Sequence, residues 1–167
     1  MPPTLSPSAD PVLFRDAARE TLRSAFDKMM KNADNTRAGL EKREPTPSEV
    51  VALHDMRVGS RRLRAALSVF ARVFTKSDYR GIEQEVAAIT GALSAVRDLD
   101  TQRETLAAIS AGMPENEAYG VERLRKRLAK QRDRERETLL KALSKLDKSR
   151  FEKRFAQTLA RATGKAR

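Results

Sequence analysis

Apolar residues recur at intervals of three and four along most of the chain, which is the spacing of one buried face of an α-helix. The longest such seam consists of Leu53, Met56, Ser60, Leu63, Leu67, Phe70 and Phe74. In the whole sequence, no segment alternates apolar and polar residues for long enough to favour a β-strand. The pattern therefore predicts an all-α protein built from amphipathic helices.

Two helix starts are marked by their capping residues. Asp10-Pro11 offers an Asp N-cap followed by Pro at the first helical position, and this helix is predicted to run to about Asn35. Thr46-Pro47-Ser48-Glu49 combines a capping box with Pro at the first position, and it begins the helix that carries the long seam. Residues 36–45 are highly charged and lack an apolar stripe, so we predict a frayed end or a loop there.

A third helix is predicted after a short link at Thr75–Asp78. Its inward positions are Ile82, Val86, Ile89, Leu93 and Val96. Gly91 within it is expected to allow a close approach between helices. Arg97-Asp98-Leu99-Asp100 interrupts the spacing and predicts a break, followed by a fourth helix with Leu106 and Ile109 inward.

Two more helices are predicted in the C-terminal part of the chain. Gly112-Met113-Pro114 indicates a turn, after which a long basic helix covers about residues 117–146. A short last helix carries Phe151, Phe155 and Leu159 on one face. Helices joined by short connections pack as antiparallel neighbours. We therefore predict a four-helix-bundle-type domain at residues 10–163 with one or two additional helices, preceded by a disordered arm at residues 1–9.

Composition adds a strong charge to this picture. The 167 residues include 34 Lys and Arg against 23 Asp and Glu, a formal net charge of +11, which attracts nucleic acid, acidic membrane surfaces or phosphate polymers. The absence of Cys excludes disulfides and thiol catalysis and fits a reducing compartment. Because the sequence also has no secretory signal and no apolar run of about 20 residues, we expect a soluble cytoplasmic protein.

The seam helix carries a row of cations beside its apolar face. The row consists of His54, Arg57, Arg61 and Arg64, at spacings of three, four and three residues. It runs parallel to the seam, rotated by one residue, and extends over roughly 15 Å. Arg62 adds a further charge, which we expect near the same edge. The planar fork of Arg donates hydrogen bonds in parallel pairs, which suits phosphate groups.

Two ordinary explanations compete with a binding site. A row of cations on one helix is more often a solvated face, or is paired with acids on a neighbouring helix. A lone His beside an apolar seam is likewise more often a structural residue than a ligand-binding one.

Two segments resemble the motifs of one family. The segment from His54 to Leu67 resembles the signature helix of the CHAD family (conserved histidine α-helical domain), with a His, an Arg three residues later, a doubled basic pair and Leu-Arg. Arg97-Asp98-Leu99-Asp100 resembles the second motif of the family, Arg-Asp-x-Asp. The order and separation of the motifs also match, and the resemblance covers about residues 12–160.

The resemblance implies a helical fold of two similar four-helix bundles, in which basic residues line a cleft that binds inorganic polyphosphate, and an association with polyphosphate granules. The residues carried over to the binding surface are His54, Arg57, Arg61, Arg62, Arg64 and Arg97. Asp98 and Asp100 are expected to orient Arg side chains or to cap the next helix. Only one His–Arg helix is present, so the chain resembles the N-terminal half of the usual domain. Either one bundle suffices or two chains pair, and we favour a homodimer.

The basic helix at 117–146 carries a second row of cations. Arg123 and Arg127 are the first two members, and Lys130 and Arg134 follow. They either continue the wall of the cleft and bind polyphosphate, or belong to a solvated face with the interleaved Asp133, Glu135 and Glu137.

Rival functions are less well supported by the sequence. Nucleic-acid binding fits the charge, but the basic rows have almost no interleaved aromatic residues for base stacking. Catalysis is not expected, because there is no Cys, no Gly-rich phosphate loop and a single His. Two carboxylates, Asp98 and Asp100, are weak evidence for a metal, so neither a metal nor a cofactor is predicted. A helical scaffold or protein-interaction module remains an alternative.

Overall fold

The computed structural model of the protein describes residues 11–42 and 44–164, and within them it has no β-strand. These residues form a 3₁₀ turn at Ala71–Val73 and the helices α1 Pro11–Met30, α2 Ala33–Glu41, α3 Pro47–Val69, α4 Lys76–Ser110, α5 Glu115–Lys148 and α6 Phe151–Thr163. The predicted all-α class is confirmed. The arm expected at residues 1–9 and the Asp10 cap lie outside the described residues.

The helices pack around one core. α3 packs against α1, α2 and α4, α5 packs against α4, and α6 lies against both α1 and α5. Glu85 and Ser149 form one contact between α4 and the end of α5, and Asp100 and Arg132 form another in the reverse order. α4 and α5 are therefore an antiparallel hairpin. The four long helices make the bundle, and α2 and α6 are the two additional helices.

The predicted seams are buried together in this core. The seam residues of α3 and α4 that are buried are Leu53, Met56, Ser60, Leu63, Leu67, Ile82, Val86, Ile89, Leu93 and Val96. Phe26 of α1 stacks on Phe155 of α6 with 4.2 Å between the ring centroids, and Phe151 packs beside both rings. The other buried hydrophobic residues of the core are aliphatic except for Phe74, and the 3.6-residue period located most of them.

The segment after α1 differs from the prediction. α1 ends at Met30 rather than near Asn35, and the residues expected to fray form α2. Thr36, Gly39 and Leu40 of α2 are buried, because the helix packs against α3 and α5. Two of these three residues are small or polar, so the buried face carries too little apolar character to show as a stripe in the sequence.

The predicted break at Arg97–Asp100 is also wrong. α4 is continuous through it. Leu99 is buried. Asp100 stands at the next seam position, where an apolar residue was expected, and its charge is neutralised by Arg132 of α5. Towards the end of α4, Ile109 is 52% exposed rather than inward.

The close approach between helices occurs at Gly59, not at the expected Gly91. A Cβ atom added to Gly59 would lie 2.9 Å from Met29 Cα, whereas one added to Gly91 would meet open space. Gly59 lies on the side of α3 that faces α1, and the seam spacing does not distinguish it from an exposed glycine.

Candidate functional site

The four basic residues of the signature segment lie on one side of α3, and we call them the α3 row: His54, Arg57, Arg61 and Arg64. The helix begins where the sequence predicted, because the Thr46 hydroxyl accepts from the Glu49 N–H and the Glu49 carboxylate accepts from the Thr46 N–H. Arg57 is half-buried and the other three side chains are exposed. The row therefore runs along the shoulder of the bundle, as the spacing predicted.

The α3 row faces α4. Arg57 Nε donates to Ser94 Oγ at 3.2 Å, and Arg64 Nη2 donates to Glu83 Oε1 at 3.2 Å. The two contacts run in opposite order along the helices, so α3 and α4 are antiparallel. The row thus forms one wall of the shallow groove between these helices, beside residues 83–94 of α4.

Internal ion pairs neutralise this row only in part. Within the described residues, the row forms one salt bridge, from Arg64 to Glu83. The two side chains are 45% and 30% exposed. An exposed pair of this kind contributes about 1 kcal/mol at most, so an anionic ligand can replace it. Arg57 is held by a neutral hydroxyl, which fixes its direction and leaves its charge uncompensated. Pairing with acids on a neighbouring helix therefore accounts for Arg64 but not for Arg57 or Arg61.

Arg62 does not belong to the α3 row. It follows Arg61 by one residue and is thus rotated by roughly 100° about the helix axis, away from α4. Its side chain is exposed, and within the described residues it forms no salt bridge. The expectation that Arg62 shares the edge of the row is not supported by the helix geometry.

Of the second motif, Asp100 joins α4 to α5, whereas Arg97 is paired within α4. Arg97 Nη1 pairs with Glu104 Oε1 at 3.2 Å, and the Arg97 side chain is 26% exposed. Asp100 Oδ1 accepts from Arg132 Nε at 2.5 Å, and these side chains are 19% and 10% exposed. The expectation that Asp100 orients an Arg is confirmed, whereas capping a next helix is excluded because α4 continues. Asp98 is exposed on the outer side of α4.

Arg132 was missed as a structural residue, although the sequence carried a signal for it. It lies four residues after Leu128 and seven before Leu139, on the buried side of α5, where an uncompensated charge would be costly. Such a position predicts a buried partner of opposite charge. Arg136, four residues further on, donates from Nη1 to the Leu40 carbonyl at 3.0 Å and ties α5 to α2.

Glu49 supports the start of α3. Its carboxylate pairs with Lys42 Nζ and accepts from the Thr46 N–H. The hydrogen bond from Lys42, followed by the one from the Thr46 backbone, holds the pKa of Glu49 below its usual value. The carboxylate therefore stays ionised and keeps the α2–α3 loop attached to the helix that carries the α3 row.

Arg123 and Arg127 are not brought to the α3 row. Arg132 lies level with Asp100, so these two residues, earlier on the antiparallel α5, lie about 16–22 Å beyond the α4 segment 83–94 that faces the row. Both are exposed, and Arg123 lies over the Tyr119 ring at 6.0 Å. The expectation that they continue the same cleft wall is therefore not supported.

The arrangement suits anion binding. Within the described residues, no three metal-ligating side chains gather at one point. Every helix in the part of the chain that the structure describes is too short or too polar to span a bilayer. The α3 row provides three guanidinium groups on one side of α3, each of which can donate a pair of parallel N–H bonds to an oxyanion, and this fits a ligand with repeated oxyanions.

Comparisons with known proteins agree with the two motifs. The family model described as CHAD domain matches residues 20–167, close to the range of 12–160 expected from the motifs. No curated protein and no solved structure matches the chain. CHAD domains are in general binding domains, and the family is associated with polyphosphate binding. Because the match covers nearly the whole chain, the protein belongs to the CHAD domain family.

Proposed function

We propose that the protein binds inorganic polyphosphate without catalysis, through the α3 row. The observation that carries the proposal is the state of the charges in the groove. Arg57 is oriented by neutral Ser94, and Arg61 forms no salt bridge within the described residues. Guanidinium groups without a counter-charge attract a linear chain of oxyanions, and each contact releases a condensed counterion by analogy with nucleic acid.

The same surface suits nucleic acid less well. Sequence-tolerant binding of single strands depends on aromatic side chains on which bases stack. Among the aromatic residues that the structure describes, only Tyr119 is exposed, and it lies on the far part of α5 rather than beside the α3 row. Polyphosphate has no bases, so the shortage of exposed aromatic side chains does not weaken its binding. Competition between polyphosphate and DNA at one salt concentration separates these two candidates.

The proposal is tested by replacing Arg57 and Arg61 with Ala. Charge-assisted hydrogen bonds contribute roughly 1.5–3 kcal/mol each, so the double variant is expected to bind long-chain polyphosphate about 100-fold more weakly or worse. The slope of log affinity against log salt should also fall by about two. Isothermal titration across a salt series measures both quantities, and circular dichroism checks that the variant is folded.

Lys28→Ala/Lys31→Ala is the matched control, because it removes the same charge from exposed positions at the end of α1. We expect the control to bind nearly as the wild type does. Wild-type protein that does not bind polyphosphate would contradict the proposal. So would equal losses in the two double variants, since the effect would then be one of net charge alone.

We further propose that the protein is cytoplasmic, that it is located at polyphosphate granules and that it forms a homodimer. The support for the dimer is apolar exposure at the end of the α4–α5 hairpin. Ile109, Tyr119 and Leu124 are 52%, 70% and 43% exposed there. Association of this end with a second copy would remove the three side chains from water.

Sedimentation equilibrium at micromolar concentration tests the dimer. We expect a mass near twice the 18.7 kDa of one chain, and dissociation in Ile109→Glu/Leu124→Glu, because burying two carboxylates in an apolar contact is costly. A wild-type protein that sediments as a monomer would overturn this part of the proposal and leave polyphosphate binding untouched.

A further inference from the structure

A longer row of cations runs along the outer side of α5. We call it the α5 row, and it consists of Arg123, Arg127, Lys130, Arg134, Lys141, Lys145 and Lys148. The members recur at three, four or seven residues, so they share one face of the helix and extend over roughly 38 Å. Lys141, Lys145 and Lys148 extend the row predicted from Arg123 to Arg134 into the part of α5 beside the bundle. All the members stand on the helix side opposite the buried Leu139 and Leu143.

The α5 row is not neutralised within the chain. Among the residues that the structure describes, none of its members forms a salt bridge, whereas Arg125 and Arg132 on other sides of the same helix do. Glu137 lies on the same side of the helix, three residues after Arg134 and four before Lys141, but within the described residues it forms no salt bridge with either. Like charges at three- and four-residue spacing repel by a few tenths of a kcal/mol per pair, so the row destabilises the helix. A bound anionic ligand would relieve this repulsion.

Part of the α5 row lies beside the same stretch of α4 as the α3 row. The contacts of Glu85 with Ser149 and of Asp100 with Arg132 place Lys141 and Lys145 level with about residues 87–93 of α4. The α3 row lies beside residues 83–94 on the other flank of α4. Between the two flanks, the exposed positions of α4 in this stretch are Gln84, Ala88 and Gly91, which carry no charge. The two acids of α4 in this stretch, Glu83 and Glu85, are 30% and 22% exposed and are paired with Arg64 and Arg154.

We infer that the α5 row is a second binding track for polyphosphate, parallel to the α3 row and separated from it by the exposed positions of α4, which carry no charge. The inference rests on the proposed function and adds Lys141 and Lys145 to the residues that contact the ligand. A linear polyanion that occupies both tracks neutralises more cations than the α3 row contains. The affinity of such a ligand therefore depends on salt concentration more steeply than contacts with the α3 row alone would give.

The test is Lys141→Ala/Lys145→Ala, measured with long-chain polyphosphate across a salt series. Ala is a good helix former, so α5 is expected to persist, which circular dichroism verifies. Loss of two phosphate contacts should lower the magnitude of the salt slope by about two and weaken binding on the order of 10-fold at low salt. Lys28→Ala/Lys31→Ala serves again as the control of equal charge and is expected to leave the slope unchanged.

The possible outcomes separate the second track from the proposed function. A reduced slope in the α5 variant with an unchanged control supports the second track. Binding that is lost in Arg57→Ala/Arg61→Ala but unaltered in Lys141→Ala/Lys145→Ala overturns the second track and leaves the proposed function standing. Equal changes in the α5 variant and the control also overturn it. No binding by the wild type overturns the proposed function itself.

Discussion

Replacement of Asp100 by Ala is expected to lower the free energy of unfolding by about 3 kcal/mol, which makes it one of the most damaging single changes in the chain. Arg132 is 10% exposed and Asp100 is 19% exposed, so the variant leaves a largely buried guanidinium without its counter-charge. The cost comes from desolvation of the remaining charge rather than from the lost attraction alone. The same change would loosen the contact between α4 and α5.

Urea unfolding followed by circular dichroism measures this loss, and a second variant isolates its cause. Asp100→Leu/Arg132→Leu removes both charges and keeps apolar volume, and it is expected to be close to wild type in stability. A double variant as unstable as Asp100→Ala would show that the pair stabilises the fold by itself. A loss below about 1 kcal/mol in Asp100→Ala would show that water solvates Arg132, contrary to the burial seen here.

Gly59→Ala is expected to lower the free energy of unfolding by about 2 kcal/mol, although Ala is the better helix former. The added Cβ would lie 2.9 Å from Met29 Cα and 3.1 Å from Met29 N, both backbone atoms that move only if α1 moves. The steric cost of separating α1 from α3 therefore exceeds the gain of about 1 kcal/mol in helix propensity.

Gly91→Ala provides the matched control for Gly59→Ala. Gly91 also lies inside a long helix, but its added Cβ meets nothing within 4 Å. This variant is expected to gain about 0.5–1 kcal/mol in stability. Thermal and urea unfolding of both variants measure the difference. A stabilised Gly59→Ala variant would mean that α1 adjusts freely and that the close approach is not a constraint of the fold.

The two CHAD motifs therefore differ in what they do in this chain. The α3 row is oriented towards the groove and largely uncompensated, whereas Arg97 and Asp100 are occupied by Glu104 and Arg132. Changes at Asp100 are expected to reduce ligand binding through stability. Binding measurements on such variants need an unfolding curve beside them, because a partly unfolded protein and a damaged site both lower the apparent affinity.

Much of this protein was determined by the sequence alone. The capping box at Thr46–Glu49 and the apolar spacing in α3 and α4 are local patterns, so the helices and most of the core followed from them. The α3 row followed in the same way, because residues at three- and four-residue spacing share a helix face whatever the helix packs against. The motifs at His54 and Arg97 also sufficed to indicate the family, which the comparison confirms.

Other features were decided only by the tertiary structure. α2 is a helix because its small and polar residues pack against α3 and α5, and α4 passes through Asp100 because Arg132 lies opposite it. The displacement of Arg123 and Arg127 from the α3 row depends on the register between helices. Each of these features depends on a contact between residues far apart in the chain. The free energy of such a contact comes from burial and charge pairing across helices, which no local pattern of residues encodes.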